Sequence, residues 1–506
     1  MKKNNYIVVI AAVLLVMSGC SKWLDVNPRS EVRDGVMFST TEGFKYAMNG
    51  AYILTAKEEL YGKNTTMFAP EILARHWLAP TGNVVPVEMR NRLSLFDFEN
   101  RHVEELFRTI WLEYYKVIVQ LNDIITNLQE STLRFDHSND LLMMGEALGL
   151  RAFLHLDLLR FFGPVPDENA LSVADAIPYV TEKTRNPGQL LSLSFAEVIK
   201  HIEDDLNEAE RLLAQVDPIL EFSNWELNLA NPPRDLQDDW HRWRQSRFNY
   251  FAVLGTKARF YHWIGNAGKA NEYAKKVIYA ENDAERITVA NGRGTRKFTL
   301  TTGATMTEHE SNLTFFSEQL FGIHNPELRR ITGPLWANQG NHLLWQTQAQ
   351  MNTAFEFTAN PADIRYRTTS HPNRFFELIV HSGGSNIFHF KKFSGDATVP
   401  SRNRVPLLRL SEMYLILMEN LPESEALSYF QTYRQSRGMD IAMETQFQTA
   451  RATRLEREHR KEFMGEGQMF FFYKRNNFAA YTWPAAFTVP PGGYVIPKPN
   501  DQLKFE

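Results

Sequence analysis

The chain has 506 residues, of which 43% are hydrophobic and 23% are charged, and its formal net charge is -4. This composition is typical of a globular protein with a sizeable core, and the slight negative charge argues against a nucleic-acid partner. Aromatic residues make up 12% of the chain. They could belong either to the core or to a binding surface, and composition does not choose between the two.

The first residues have the layout of an export signal. Lys2 and Lys3 precede the apolar run YIVVIAAVLLVM, and the small residues Ser18 and Gly19 follow it. A charged start, a short apolar run and small residues at a cleavage point are typical of a secretory signal. The run is too short to span a bilayer, and no second run of about 18 apolar residues follows it.

Cys20 stands directly after this signal and is the only cysteine of the chain. The segment resembles a bacterial lipoprotein signal, and this resemblance implies removal of residues 1–19 and lipidation of Cys20. Residues 20–40 would then connect the lipid to the fold. An ordinary secretory signal with a chance cysteine is the alternative. In either case no cysteine is left for an internal disulfide.

Apolar residues recurring every three or four positions predict eight helices. Taken in chain order they pair into four hairpins: 41–60 with 103–129, 139–162 with 194–213, 248–264 with 267–280, and 409–419 with 423–436. Small residues such as Ala258 and Ala274 match the offsets of a tetratricopeptide hairpin. Such hairpins bury their apolar faces only by stacking on one another, which predicts a mainly α array.

Two local features of these helices lead to specific expectations. Ser194 and Glu197 have the spacing of a capping box, which predicts a helix start at this point. The segment 139–162 is apolar on nearly all sides and is expected to be buried. His155 lies within it, so we interpret it as a core histidine with satisfied hydrogen bonds.

Two segments lack helical periodicity. Residues 62–101 predict a long loop with His76 and Trp77 exposed, and residues 281–408 predict an irregular insertion with short strands. Long loops in compact domains are often functional. By contrast, residues 451–475 carry charges at i,i+4 spacing and predict a solvent-exposed helix of ion pairs.

Sequence motifs do not support catalysis. No nucleophile elbow, P-loop, dinucleotide fingerprint or HExxH zinc motif is found. Two Glu-x-x-His pairs, Glu99 with His102 and Glu456 with His459, have a spacing used in di-iron bundles, but the inward carboxylates that should accompany them are missing. We therefore predict no catalytic residues, no metal and no cofactor.

Six sequence blocks, in this order and spacing, carry a resemblance to the SusD/RagB family: CSKWLDVNP from Cys20, FSTTEGFKYAMNGAY from Phe38, EALGLRAFLHLDLLRFFG from Glu146, RFNYFAVLGTKARFYHWIGN from Arg247, VPLLRLSEMYLILMEN from Val405, and LEREHRKEFMGEGQMFFFYKR from Leu455. One departure is the last block, where Phe472 and Tyr473 replace the usual Asp-Leu.

The resemblance implies a fold and a function. It implies one SusD-like domain over 41–506, in which four tetratricopeptide-like helix pairs (41–280 and 409–475) support an irregular ligand-binding insertion (281–408). It also implies a lipoprotein at the surface of the outer membrane. Such a protein would deliver oligosaccharide, or in some members peptide, to a SusC-like TonB-dependent barrel.

Sugar binding needs aromatic rings to stack on and polar side chains nearby to bond the hydroxyl groups. Such residues occur together in the two aperiodic segments. The candidate ligand residues are Arg75, Trp77, Asn83, Trp336, Asn341 and Trp345. For each tryptophan the alternative is packing of the insertion against the helices.

Three function classes remain at this point. A binding protein for the import of a glycan is the leading hypothesis, and a membrane-anchored protein scaffold is the second. A glycan-degrading enzyme is the third, and it would need a pair of carboxylates about 5–10 Å apart in a cleft.

Overall fold

The computed structural model describes residues 36–504, apart from 79–85, 184–189, 232, 237, 284–294, 309–311, 337–342, 367–374, 381–385, 395–402 and 440–443. Helices dominate this part of the chain, as predicted. They are α1 Thr41–Thr55, α2 Ala69–Leu73, α3 Val87–Ser94, α4 Arg101–Glu130, α5 Asn139–Phe162, α6 Phe195–Val216, α7 Tyr250–Trp263, α8 Ala267–Ile278, α9 Gly303–Glu308, α10 Leu328–Trp336, α11 Gln348–Ala354, α12 Leu410–Asn420, α13 Glu423–Ser436, α14 Glu444–Glu462, α15 Gln468–Arg475 and α16 Asn500–Leu503.

All four predicted helix pairs are present. Helix α1 packs on α4, α5 on α6, α7 on α8, and α12 on α13. Each pair also contacts the next one, through α4 with α5, α6 with α7, and α8 with α12. This stacking gives the array one continuous core, because a single hairpin leaves an apolar face uncovered.

Local signals define the ends of these helices well. The Ser194 hydroxyl accepts from the Glu197 N–H, and the Glu197 carboxylate accepts from the Ser194 N–H, which confirms the capping box. The bounds of α5 and α13 coincide with the predicted ones. Helix α1 ends at Thr55, however, five residues before the predicted end.

Helix α5 is buried along almost its whole length, and the prediction for His155 is confirmed. His155 Nδ1 lies 2.9 Å from the Arg151 carbonyl oxygen, and the Val180 N–H donates to His155 Nε2 over 3.1 Å. The imidazole stacks on Tyr179 with ring centroids 3.8 Å apart. Burial lowers the pKa of His155 to about 3, so the ring is neutral at neutral pH.

Gly149 of α5 permits the close approach of α7. A Cβ atom placed on it would lie 2.6 Å from Cδ1 of Phe248 and 3.2 Å from Cγ2 of Val253. We expect Gly149→Ala to lower the free energy of unfolding by about 1–3 kcal/mol, because overpacking displaces both neighbours.

Urea denaturation followed by circular dichroism measures this loss. Gly268→Ala on α8 is the control, since the nearest atom to a Cβ there is 3.8 Å away. Alanine is the better helix former, so we expect the control to be neutral or slightly stabilising. Equal effects of the two substitutions would contradict the packing argument.

The insertion contains short strands, as predicted for residues 281–408. Antiparallel pairing joins β1 Gln319–His324 to the strand β5 Arg404–Arg409, which leads directly into α12. A second sheet has the order β2-β4-β3, with β2 Gln346–Thr347, β3 Phe376–Val380 and β4 Asn386–Phe390. Near the C-terminus β6 Ala480–Tyr481 pairs with β7 Phe487–Thr488. The insertion is thus tied to the helical array through β5.

The segment 62–101 is not a continuous loop, and that prediction was wrong. A π-helical turn, Asn64–Phe68, leads into α2, and α3 follows farther along the segment. Pro70 lies in the first turn of α2, where its missing N–H costs no helical hydrogen bond. Pro70 therefore marks the start of a helix rather than a loop.

The prediction of an exposed charged helix at 451–475 was also wrong. Residues 458–462 of α14 are buried, and the charged side chains of Glu458, Lys461 and Glu462 are almost completely inaccessible. The i,i+4 spacing of charged residues is the same in an exposed helix and in a helix whose charges pair with buried charges of other elements. Here other elements supply the partners.

Glu462 is the centre of this buried ion network. Its carboxylate accepts from Arg409 Nη1 over 2.6 Å, from Arg437 Nη2 over 2.7 Å and from Arg365 Nη1 over 3.0 Å. Glu318, at the start of β1, accepts from Arg409 and Arg437 as well. The network therefore links the insertion, the last hairpin and α14 at one buried point.

Candidate ligand-binding site

The structure brings together the two segments that hold the predicted ligand residues. Leu78 N–H donates to the Trp345 carbonyl oxygen over 2.9 Å in an isolated antiparallel bridge. Gln346 Nε2 donates to the His76 carbonyl oxygen over 2.6 Å. These contacts join parts of the chain more than 260 residues apart, so the described parts of the two segments lie side by side.

Trp77 and Trp336 form a buried aromatic layer in this site. Their ring centroids are 5.9 Å apart, and the Phe390 ring lies 5.2 Å from Trp77 and 5.0 Å from Trp336. Only 2% of Trp77 and 3% of Trp336 is exposed. The expectation that His76 and Trp77 are exposed was therefore wrong, because the insertion covers them from a distant part of the sequence.

Trp345 and Arg75 are the partly exposed members of the predicted set. Arg75 has a positive φ of 57°, its Nη1 donates to the Ser94 carbonyl oxygen over 2.8 Å, and its guanidinium lies 4.1 Å from the Phe487 ring centroid. Asn83 and Asn341 lie outside the described residues. Ligand contact by any of the six residues stays a prediction.

Glu71 positions this site, and the sequence analysis did not identify it. Its buried carboxylate accepts from Trp77 Nε1 over 3.0 Å and from the Gly467 N–H over 3.0 Å, and His76 Nδ1 lies 3.0 Å away. A carboxylate in the apolar run APEIL could have signalled a buried acid with several donors. The contacts tie the loop after α2 to the turn before α15.

That turn requires glycine. Gly467 has a φ of +74°, and a Cβ atom there would lie 2.6 Å from Cγ of Pro70 and 2.7 Å from the Thr66 carbonyl oxygen. Only glycine adopts this left-handed conformation readily while allowing such close approach.

Several buried polar atoms around Trp77 have no hydrogen-bond partner in the described structure. They are Arg75 Nε, His76 Nε2, Arg90 Nε, Trp336 Nε1 and Gln346 Oε1. Burial, with a smaller contribution from the charge of Arg75, lowers the pKa of Arg90 to about 9. Buried polar groups normally find a partner in protein or water. These atoms are available for hydrogen bonds to water or to a polar ligand.

Comparisons with known proteins agree with the fold and the sequence blocks. A SusD-like family described as "Starch-binding associating with outer membrane" matches residues 22–225. A SusD superfamily protein from Bacteroides thetaiotaomicron has a similar structure, with a TM-score of 0.65 and 20% identity over 92% of this chain and 98% of that one. The chain has the fold of SusD superfamily proteins.

Two further SusD-like proteins resemble the chain. The SusD-like protein P38 of Formosa agariphila is 26% identical over 233 residues, which cover 45% of this chain and 41% of that protein. The sequence match thus spans less than half of the relative's length. A laminarin-binding SusD-like protein has a similar fold, with a TM-score of 0.56 and 16% identity over 92% of this chain and 97% of its own.

The Glu-x-x-His pairs do not form a metal centre. Among the described residues, no group of three or more His, Cys, Asp or Glu side chains is placed to hold a metal ion. His459 lies in the core, where its Nδ1 is 2.9 Å from the Leu455 carbonyl oxygen and its ring centroid is 4.3 Å from that of Phe472. Nor is any described helix both long and apolar enough to cross a membrane.

Proposed function

We propose that this SusD-like protein binds an oligomeric glycan at the outer membrane and delivers it to a SusC-like TonB-dependent transporter. The observation that carries the proposal is the bridge between Leu78 and Trp345, which brings together the two segments in which the ligand residues are predicted. The family description, starch-binding and associated with the outer membrane, supports this ligand class and location.

Within the site, we propose that the Trp345 ring is the surface on which a sugar stacks. Of the three predicted tryptophans, Trp345 is partly exposed, whereas the rings of Trp77 and Trp336 are buried. Arg75 would supply a polar contact beside Trp345. We propose no catalytic role for these residues, since the site has the aromatic and polar groups of a binding surface.

We expect Trp345→Ala to weaken glycan binding about 5- to 150-fold. This range corresponds to about 1–3 kcal/mol, by analogy with bases stacked on aromatic side chains. A glycan array screened with purified residues 21–506 would identify a ligand, and isothermal titration calorimetry would then give the affinities. The same assays would test for released products and for peptide ligands.

Trp243→Ala is the matched control, because Trp243 is 40% exposed and lies outside the site. Its affinity for the glycan should equal that of the unchanged protein. If Trp345→Ala folds normally and binds the glycan as tightly as the control, Trp345 is not the stacking platform. Product release in the same assays would instead indicate an enzyme.

We also propose that cleavage before Cys20 and lipidation of its side chain anchor the protein, with residues 20–40 as a spacer. Residues 1–35 lie outside the described structure. We expect Cys20→Ser to move the protein from the membrane to the soluble fraction, because the acyl chains supply the hydrophobic anchoring energy. Cell fractionation with immunoblotting measures this, and Ser21→Ala is the control. Membrane retention of Cys20→Ser would contradict lipid anchoring.

The partnership with a barrel is tested separately. Mild detergent extraction and affinity purification of the lipidated protein should recover a large outer-membrane barrel protein. Recovery of soluble proteins alone would favour the scaffold hypothesis instead.

A further inference from the structure

A cavity lies where α5, α7, α12, α14 and α15 meet. It offers about 50 Å³ of space for water-sized molecules, several times the roughly 10–15 Å³ that one water needs. Its polar lining consists of Arg160, Arg259, His262, Trp263, Glu412, His459, Gln468 and Arg475.

Three of these lining residues carry N–H groups that have no hydrogen-bond partner in the described structure. The atoms are Arg160 Nε, Arg259 Nη1 and Trp263 Nε1. Each residue is at least 96% buried. All three atoms are hydrogen-bond donors, so they lack hydrogen-bond acceptors.

The other two nitrogens of each guanidinium group already donate hydrogen bonds. Arg160 donates to Asp157 over 2.8 Å and to Gln468 over 2.8 Å. Arg259 donates to both oxygens of Glu412, over 2.7 Å and 2.6 Å. These contacts hold both guanidinium groups in place and leave one N–H edge of each unpaired.

The two guanidinium groups are also close enough to repel each other. Burial lowers the pKa of Arg160, the charges of Asp157 and Glu412 oppose that shift, and the charge of Arg259 lowers the pKa further. The Glu412 carboxylate lines the cavity and accepts from Nε and Nη2 of Arg259, but Nη1 of Arg259 has no acceptor in the described structure. A bound anion would accept from the unpaired donors and add to this charge compensation. Hydrogen bonds to a charged acceptor are also stronger than those to water.

We propose that this cavity binds a small monovalent anion of the halide class, held by the N–H groups of Arg160, Arg259 and Trp263. An anion accepts several N–H donors at once and needs no acceptor in return. A water molecule, in contrast, also needs acceptors for its own two hydrogens. The space also excludes large organic anions such as gluconate. The inference does not depend on the proposed glycan-binding function.

Bromide is the probe, because it replaces chloride and is visible by anomalous scattering. Crystals of the unlipidated protein, residues 21–506, grown in sodium bromide should show an anomalous peak within hydrogen-bond distance of all three donors. Thermal denaturation in bromide and in gluconate at equal ionic strength tests binding in solution. At ten times the dissociation constant, we expect bromide to raise Tm by about 1–3 °C relative to gluconate.

Trp263→Phe removes one donor and keeps the aromatic ring. We expect it to weaken the bromide affinity about tenfold, as obtained from Tm against bromide concentration. Trp240→Phe is the matched control, because Trp240 is also buried and its Nε1 also lacks a partner, but it lies elsewhere in the fold. Its bromide dependence should equal that of the unchanged protein.

Two results would overturn the proposal. One is density for water alone at the three donors, with no anomalous peak in bromide. The other is a Tm that responds equally to bromide and gluconate, or equally in the two tryptophan variants, since screening by salt does not distinguish the anions or the sites.

Discussion

Replacing Glu462 by alanine is expected to lower the free energy of unfolding by about 3–5 kcal/mol. The carboxylate is fully buried and accepts from Arg365, Arg409 and Arg437. Removing the carboxylate leaves each of three buried guanidinium groups with an N–H donor that has lost its acceptor. The cost of an uncompensated buried charge exceeds the net contribution of the intact pair, because the charge was taken out of water to form it.

Urea denaturation of the unchanged protein and of the Glu462→Ala variant at pH 7, followed by circular dichroism, measures this loss. Glu208→Ala is the control, since Glu208 forms an exposed ion pair with Arg211 on α6. Exposed pairs contribute little because water screens them. A similar small loss for both variants would show that the network adds little to the stability of the fold.

Acid is expected to destabilise the protein by about 3 kcal/mol through Glu458 alone as the pH falls from 5 to 2. Burial by itself would raise the pKa of this carboxyl, but the charges of Lys461, Arg365 and Arg434 lower it to about 2 from an ordinary value of 4.5. Burial would likewise raise the pKa of Glu462, but the charges of Arg437, Arg409 and Arg365 hold it well below its usual range.

The direction of this pH dependence follows from proton uptake on unfolding. Above pH 4.5 the carboxyl of Glu458 is ionised in both states, so its stabilising contribution is fully present. Between pH 4.5 and 2 the unfolded chain binds a proton that the folded protein does not, and the contribution is lost. The contribution of Glu458 to stability should therefore be nearly constant from pH 6 to 5 and fall below that range.

The free energy of unfolding in urea at pH 6, 5, 4, 3 and 2.5 tests this. Glu458→Gln is the specific variant, because it removes the titrating group and keeps its shape. Its slope of stability against pH should be smaller by up to about 1.4 kcal/mol per pH unit. Parallel curves for the variant and the unchanged protein would show that Glu458 does not contribute to the acid response.

The helical array was predictable because its signals are local. Apolar periodicity and the Ser194–Glu197 capping box are properties of neighbouring residues, and each helix must bury the face that the pattern marks. The pairing of helices followed from chain order, since elements that follow one another along the chain usually lie next to each other. Only the pairs α7 with α8 and α12 with α13 have short connections. His155 was predictable for the same reason, because its own helix is apolar on all sides.

The candidate site was predictable only in part. Both segments were identified from their tryptophans and polar residues, but the burial of Trp77 and Trp336 depends on Phe390 and on contacts that cross most of the chain. Glu71 was missed because its partners His76 and Trp77 lie in the turn after its own helix and Gly467 lies 396 residues away, so no periodic pattern links them. The ion network around Glu462 was misread as a solvated surface for the same reason.

The sequence alone predicted the four helix pairs, the family resemblance and an export signal, of which the signal stays a prediction. Each depends on residue types at short or ordered spacing. The tertiary structure alone decided which aromatic rings and charges are buried. Burial is set by the elements that cover a side chain, and here the insertion and α14 arrive from remote parts of the chain. The same charged residues would be solvated if those elements packed elsewhere.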